Sequence, residues 1–442
     1  EISACLVGSE MCIRDRKDIM KKFTKILLIG CLLVTVSCNN WLDVDPKSQV
    51  KDKDLFASEM GFKEALSGVY SLMTKEALYG KELTFGWLGV LGQEWTSVPY
   101  NYEDDQKYDF ENAASEVRID SVWTGLYNAI ANANKLLKEL EGKENLFSGD
   151  NYFIIKGEVL ALRAYLHFDL LRIFGASCTV GMERIAIPYV TEYAPTIFPQ
   201  EKVGDFVGKV LKDLQDAAKC LENDPILTGR TVSEIDDNGY LMNRQVHLNY
   251  YAVKGLMARA YLYKGDYANA EVCAKEVIGS GCFEWVKQEN LTNESVADLT
   301  FSTEHLFALN IVTLGNIVDK YLDGGNNSFA LEESRLSEYY GSSYDYRYLY
   351  LFKTGVGMSN TLRYLKKYDQ LESVSWAQSY RNKLPLICLP EMYYILAECR
   401  YHSSGDVLEP LNEVCRHRGV ADLSEADLSA FETLLLAEYR KE

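Results

Sequence analysis

One segment constrains the fold of this chain more than any other. Residues 157–175 (GEVLALRAYLHFDLLRIFG) are apolar on nearly every side, and their only charged side chains are Glu158, Arg163, Asp169 and Arg172. The apolar residues recur with the period of a helix. A helix with so little polar surface must be covered by neighbours on most of its faces. The segment therefore predicts a layered helical protein with this helix inside it.

Most of the remaining chain shows the same 3.6-residue period. Two stretches, about 80–120 and 282–385, differ because they are rich in Gly, Asn, Ser and Tyr with short mixed patterns, which indicates long loops and a few small strands. The predicted fold class is mainly α, with helical pairs as a scaffold and long irregular loops. Helices are predicted over 56–73, 121–140, 152–174, 203–221, 249–263, 267–278, 390–401 and 407–418.

The helical pairs carry the signature of a tetratricopeptide repeat. A degenerate second copy runs from 392 to 414, with its turn at 405–406. Such repeats cannot bury a core singly, so we expect several pairs to stack. The alternative for the first copy is an ordinary helical hairpin with chance alanines. Within 252–278, the residues at the small, aromatic and turn positions of the repeat are Ala258, Tyr261, Gly265, Tyr267, Ala270 and Ala274.

The segment 20–38 (MKKFTKILLIGCLLVTVSC) has the pattern of an export signal. Its lysines precede an apolar run that is shorter than the roughly 20 residues a membrane span needs. The small residues before Cys38 resemble a bacterial lipoprotein box, which predicts a lipid anchor on Cys38. An ordinary secretory signal is the alternative. We interpret residues 1–19, which precede Met20, as non-native read-through, and 20–37 as the signal peptide.

Composition excludes several classes of function. The formal net charge of −18 would repel nucleic acids and anionic lipid headgroups. The cysteines after Cys38 form no CxxC pair and are expected to be buried thiols, with a Cys273–Cys282 disulfide as the alternative. The histidines lack metal-ligand spacing, so neither a metal nor a cofactor is predicted.

With these features together, the chain resembles the SusD/RagB family of outer-membrane nutrient-binding lipoproteins from Bacteroidetes. Cys388 departs from the pattern, since the family usually has an arginine there. The resemblance implies two SusD-like parts, 38–240 and 241–442, the second with tetratricopeptide-like repeats and cut short at its C-terminus. The matching segments are 37–48 (SCNNWLDVDPKS), 56–73, 122–140, 157–175, 187–190, 203–221, 252–278, 345–347 and 384–398.

The resemblance also implies a function. Such a protein faces the cell surface on its lipid anchor, captures oligosaccharides and passes them to a SusC-type TonB-dependent transporter, without catalysis. Peptide or glycopeptide cargo is one alternative. A helical glycoside hydrolase using Glu94 and the carboxylates of 103–105 is another. A tetratricopeptide adaptor that binds only proteins is the last.

Binding is expected in the loops, because flat aromatic side chains beside amides suit sugar rings and hydroxyls. The resemblance places loop 92–106 (GQEWTSVPYNYEDDQ) near the glycan-binding loop of the family. Loop 318–328 (VDKYLDGGNNS) is the second candidate. The alternative is that these aromatic residues pack the irregular half onto the helices. The candidate platform residues are Trp95, Tyr100, Asn101, Tyr102, Tyr321, Asn326, Asn327 and Trp285, with Trp376 as a further candidate.

Overall fold

A computed structural model describes residues 52–228, 237, 239–293, 297–325, 327–355, 361–370 and 380–442. The chain divides into two units, Glu1–Asp54 and Leu55–Glu442. Apart from the short helix at Asp52–Leu55, the account below concerns the second unit. The division into parts 38–240 and 241–442 stays a prediction. Cys38, Asn326 and Trp376 lie outside the described residues.

Helices make up most of the described chain, which confirms the predicted fold class. No helix within the described ranges is both long enough and apolar enough to cross a membrane. In sequence order the helices are α1 (Asp52–Leu55), α2 (Glu59–Met73), α3 (Trp87–Leu91), α4 (Glu103–Gln106), α5 (Ala113–Leu140), α6 (Asn151–Phe174), α7 (Cys178–Gly181), α8 (Val203–Cys220), α9 (Tyr250–Lys264), α10 (Tyr267–Ile278), α11 (Glu289–Thr292), α12 (Leu314–Tyr321), α13 (Glu333–Tyr340), α14 (Tyr346–Tyr350), α15 (Leu389–His402), α16 (Leu408–His417) and α17 (Phe431–Lys441).

Helix α6 is the buried helix that segment 157–175 predicted. It packs between α5 and α8, and nearly all of its side chains from Ile154 to Leu171 are buried. At Gly157 a Cβ atom would lie 2.7 Å from Leu221 Cγ and 3.1 Å from the Ala217 carbonyl oxygen. The absence of a side chain there lets α8 approach α6 closely.

Two charged residues of α6, Glu158 and Arg163, are buried with partners. Glu158 accepts hydrogen bonds from Arg244 Nη1 at 2.6 Å, Tyr70 Oη at 2.8 Å and His247 Nδ1 at 2.9 Å. Burial alone would raise the pKa of Glu158, but His247 and Arg244 lower it to about 2. Arg163 donates to both carboxylate oxygens of Asp213, each at 2.7 Å. These charges therefore tie α6 to its neighbours instead of opposing its burial.

The helical pairs stack as the repeat signature predicts. Helices α9 and α10 pack against each other, α10 packs against α15, and α15 packs against α16. Breaks at 265–266 and 403–407 separate the members of each pair. These four helices form the tetratricopeptide-like scaffold.

Short antiparallel strands lie outside the helical layers. Strands β1 (Ile185–Pro188) and β2 (Gln200–Lys202) pair with each other, and β3 (His305–Asn310) pairs with β7 (Lys383–Cys388). Strand β6 (Leu362–Leu365) lies between β4 (Leu331–Glu332) and β5 (Phe352–Thr354). The second of the two irregular stretches, 282–385, thus holds most of the strands, as expected. Strand β7 leads directly into α15.

Candidate functional site

The structure brings the two predicted loops together. The backbone N–H groups of Thr96 and Ser97 both donate to the Ala330 carbonyl at 3.0 Å, and Ala330 N–H donates to the Ser97 carbonyl at 2.9 Å. This bridge is antiparallel, so residues after Ser97 and residues before Ala330 leave it at the same end. The same end of the bridge therefore carries Tyr100 and Asn101 from one loop and Asn327 from the other.

Aromatic rings from both loops surround Phe329, which is fully buried. The ring centroids of Tyr102, Trp95 and Tyr321 lie 5.1, 5.7 and 6.3 Å from that of Phe329. Phe85 lies 6.0 Å away, edge to face. We call these five residues the Phe329 cluster. It joins the loops by a shared apolar core.

Three of the predicted platform aromatics are inside this cluster. Trp95 is 7% exposed and its indole N–H donates to the Phe85 carbonyl at 2.7 Å. Tyr102 is 1% exposed and donates to Glu82 Oε1 at 2.8 Å. Tyr321 is 8% exposed and donates to Glu76 Oε2 at 2.8 Å. Their burial matches the alternative for these aromatics, packing of the irregular half.

The exposed predicted residues are close in sequence to two members of the cluster, Tyr102 and Phe329. Tyr100 is 86% exposed, and Asn101 and Asn327 are exposed as well. We call Tyr100, Asn101 and Asn327 the rim. The rim offers one free aromatic face and two amides, whose carbonyl and NH₂ groups can accept and donate hydrogen bonds.

Buried charges hold the rim in place from below. Arg118 pairs with Asp105, donates from Nη2 to the Asn101 carbonyl at 2.9 Å and lies 3.9 Å above the Tyr102 ring. Trp87 Nε1 donates to the other Asp105 oxygen at 3.0 Å. Burial raises the pKa of Asp105 more than Arg118 lowers it. Because both ends of this pair are buried and bonded, loop 92–106 is firmly attached to α5.

The carboxylates considered for glycoside hydrolysis differ in their partners and their burial. Glu94 accepts from Arg440 Nε at 3.1 Å, and burial raises its pKa against the effect of that arginine. Glu103 and Asp104 are exposed, whereas Asp105 is buried in its pair with Arg118. Within the described part of the chain, no three His, Cys, Asp or Glu residues come together as a metal site. Cys273 and Cys282 are both free thiols.

Trp285 lies in a different environment from the Phe329 cluster. Its ring stacks on the His417 ring at 4.7 Å with an angle of 10° between the planes. It borders a cavity of about 420 Å³, within the range of small-molecule sites. We call this cavity the Trp285 groove. It is lined by Glu284, Trp285, Val286, Lys287, Gln288, Tyr346, Arg416 and His417.

Two residues that matter to these sites were not predicted as site residues. Phe329 follows a polar run directly, and its only signal is that it is the first large apolar residue after Gly324. Tyr346 belongs to the segment 345–347, which carried the family resemblance but no role in binding. Its position in the groove depends on the fold of α14 and α16.

The chain is similar to known proteins along most of its length. A family model described as starch-binding and associating with the outer membrane, SusD-like, matches residues 40–232. SusD-like protein P38 of Formosa agariphila is 24% identical over 269 residues, which are 60% of this chain and 47% of that protein. SusD-like protein P25 of the same organism is 24% identical over 35% of this chain and 31% of its own length. The chain thus spans less than half of these relatives.

Solved structures share the fold. A SusD-like carbohydrate binding protein of Bacteroides vulgatus superposes with a TM-score of 0.66 at 18% identity, covering 87% of this chain and 80% of that one. A SusD superfamily protein of Bacteroides thetaiotaomicron gives a TM-score of 0.66 at 21% identity, covering 87% of this chain and 86% of that one. The helical scaffold and the irregular segments around it are therefore a known arrangement.

Proposed function

The chain is a SusD/RagB-type protein, and we propose on that premise that it binds oligosaccharides at the cell surface without cleaving them. The names of the family model and of one solved relative, which refer to starch binding and carbohydrate binding, support this class of ligand. The observation that carries the location is the bridge between Ser97 and Ala330. It joins the two distant loops to which the rim residues belong, which supports the proposal that they act together.

The rim has the chemistry that a neutral sugar requires. A sugar ring presents C–H groups that pack on the face of Tyr100, and its hydroxyls both donate and accept hydrogen bonds with Asn101 and Asn327. The Arg118–Asp105 pair and the Phe329 cluster order the backbone beneath before any ligand arrives. Binding then costs less conformational entropy, which favours affinity.

Substitution of Tyr100 tests the location. In Tyr100→Ala the affinity for neutral gluco-, xylo- or manno-oligosaccharides should fall by about 2 kcal/mol, or roughly thirtyfold, because a central aromatic anchor is lost. Isothermal titration calorimetry measures the affinity, and chromatography checks that the sugar is not consumed. Tyr344→Ala is the matched control, since Tyr344 is 75% exposed and lies outside the rim.

Two results would count against the proposal. If Tyr100→Ala, Asn101→Ala and Asn327→Ala all bound oligosaccharide as tightly as the wild type does, the site would lie elsewhere. Steep weakening by salt would indicate a charged cargo such as a basic peptide, because the binding of neutral sugars is nearly insensitive to screening.

Attachment to the outer membrane through Cys38 is part of the proposal. Labelling of cells with a fatty acid should mark the protein, and Cys38→Ala should lose the label and release soluble protein, since acyl chains supply the attachment. Cys31→Ala is the control, because Cys31 lies in the apolar run of the same signal segment. A labelled, membrane-bound Cys38→Ala variant would overturn the anchor.

Delivery of the bound sugar to a SusC-type TonB-dependent transporter completes the proposal. Its partner should co-purify with the protein from detergent-solubilised membranes, and loss of either protein should stop growth on the same oligosaccharide. Growth that needs the transporter but not this protein would remove delivery from its function.

A further inference from the structure

We propose that the Trp285 groove is a second saccharide-binding site, separate from the rim and selective for a neutral sugar unit. This inference rests on the proposed function, because it assigns a second contact point for the same class of ligand. It starts from a cavity of about 420 Å³ that has an aromatic ring in its wall. Nothing in the Phe329 cluster contributes to that wall.

The segment that carries Trp285 is held on both sides. Glu284 N–H donates to the Thr303 carbonyl at 3.1 Å, and Val286 N–H donates to Glu304 Oε1 at 2.9 Å. His417 stacks on the indole at 4.7 Å, and the Arg418 guanidinium lies over the same ring at 5.3 Å. The ring is therefore oriented before a ligand binds, which lowers the entropic cost of binding beside it.

Tyr346 is fixed in another wall of the groove. Its N–H donates to the Arg418 carbonyl at 2.9 Å, and its hydroxyl donates to Gln288 Oε1 at 3.3 Å. The ring lies against Gly419, where a Cβ atom would be 2.4 Å from Tyr346 Cε1. Arg418 also donates to Glu304, so Trp285 and Tyr346 are positioned by the same buried residue.

The polar groups of the groove match hydroxyls better than a charge. Glu284, Lys287 and Gln288 are exposed, and over the described residues neither Glu284 nor Lys287 has an ion-pair partner. They supply an acceptor, a donor and an amide. The Arg416 guanidinium is already paired with Asp422 at 2.9 Å and Glu413 at 3.2 Å. The unpaired Lys287 ammonium stands with the unpaired Glu284 carboxylate of opposite charge, so the groove offers an acidic sugar no net positive charge and suits a neutral one.

A second site changes how a long glycan is held. When one chain engages the rim and the groove together, the second contact forms at a high effective concentration. The proposal therefore predicts tighter binding of oligosaccharides long enough to reach both places than of single sugars. Tight binding of polymer would then coexist with weak binding at each site.

Fluorine NMR of protein labelled with 5-fluorotryptophan separates the two sites. The chain has 6 tryptophans, and Trp285→Phe identifies the resonance of Trp285. Short neutral gluco-, xylo- and manno-oligosaccharides serve as probes. We expect the Trp285 resonance to shift saturably in the wild type and in Tyr100→Ala. Trp285→Ala should weaken binding at the groove roughly tenfold or more, whereas Tyr344→Ala should leave it unchanged.

Each outcome bears on one site. An unmoved Trp285 resonance, while Tyr100-dependent binding persists, overturns the groove and leaves the proposed function standing. A shift that disappears in Tyr100→Ala also overturns it, because the effect then comes from the rim. If the Trp285 resonance still shifts in Tyr100→Ala and that variant binds with normal affinity, the result supports the groove as a binding site and overturns the rim. Binding of none of the probes to the wild type overturns both.

Discussion

Arg418 and Glu304 form a bidentate ion pair although they lie 114 positions apart in the sequence. The two N···O distances are 2.9 and 2.6 Å, and both residues are almost completely buried. The pair joins the end of α16 to the start of β3. Because Glu304 also holds Val286 and Arg418 holds Tyr346, it positions two walls of the Trp285 groove.

Loss of Arg418 should be costly. Arg418→Met leaves Glu304 buried without its cation, so the free energy of unfolding should fall by about 3–5 kcal/mol, measured by urea denaturation. Arg416→Met is the matched control two residues earlier. Its pairs are at the surface, so its cost should be about 0–1 kcal/mol. Equal costs for the two variants would show that the buried pair does not hold the fold.

Two helical glycines should respond to alanine in opposite directions. Gly157→Ala should lower the free energy of unfolding by about 1–3 kcal/mol, because its Cβ would be forced against Leu221 and Ala217 of the neighbouring helix and turn. Gly208→Ala should raise it by about 0.5–1 kcal/mol, because Gly208 is inside α8 with open space around it. Thermal unfolding checks both. A stable Gly157→Ala protein would mean that α6 and α8 can separate without cost.

Trp95 and Tyr100 should differ in their effect on stability. Trp95→Ala removes a buried ring from the Phe329 cluster and should cost about 3–5 kcal/mol. Tyr100→Ala should change stability by no more than about 0.5 kcal/mol, because the side chain is exposed. Circular dichroism during denaturation measures both. Unchanged stability of the Trp95→Ala protein would contradict the burial of Trp95 and favour its role as an exposed binding platform.

Acid should destabilise the protein through His167. Its Nδ1 lies 2.8 Å from the Arg163 carbonyl and its Nε2 accepts from Val190 N–H at 2.9 Å, so the ring is neutral. Burial, together with the nearby charges of Arg163 and Lys209, lowers the pKa of His167 to about 3 against the opposing effect of the Arg163 carbonyl. The unfolded ring has a pKa near 6.5.

The direction of the pH effect on stability follows from the lower pKa of His167 in the folded protein. Between about pH 6 and 4 the unfolded chain binds a proton at this ring and the folded chain does not, so stability should fall by up to about 1.4 kcal/mol per pH unit as pH falls. His167→Gln removes that part of the slope, and His402→Gln, at an exposed position, is the control. Identical slopes in wild type and His167→Gln, from denaturation at several pH values, would refute this assignment.

The helical scaffold could be predicted because its signals are local. The segment 157–175 lacks a polar face, and that alone requires the burial seen for α6. The ends of the helices are predicted less accurately than their presence. Helix α5 begins at Ala113, well before the predicted start at 121, because the Asn112 side chain accepts from the N–H groups of Ala114 and Ser115 at 3.0 Å. That cap lies in a stretch that otherwise has the composition of a loop.

The candidate sites could be predicted only in part. Composition identified both loops, and exposure keeps Tyr100, Asn101 and Asn327 as proposed site residues. Composition could not show which tyrosine side chains are buried, since Tyr100 and Tyr102 have the same local sequence character. Their difference comes from Phe329 and Arg118, which approach Tyr102 from distant parts of the chain. Contacts between segments that are distant in sequence produce no periodic pattern in either segment, so the sequence alone does not reveal them.

The bridge to Ala330 sets the order in which the protein can mature. Thr96 and Ala330 lie 234 positions apart, whereas α5, α6 and α8 find their partners among near neighbours in the chain. A growing polypeptide can therefore assemble that helical layer early, while loop 92–106 waits for a strand not yet synthesised. On the proposed function, competence to bind at the rim is then acquired late. A chain that ends after α8 but before Ala330 would hold the segments of the helical layer without the partner of loop 92–106.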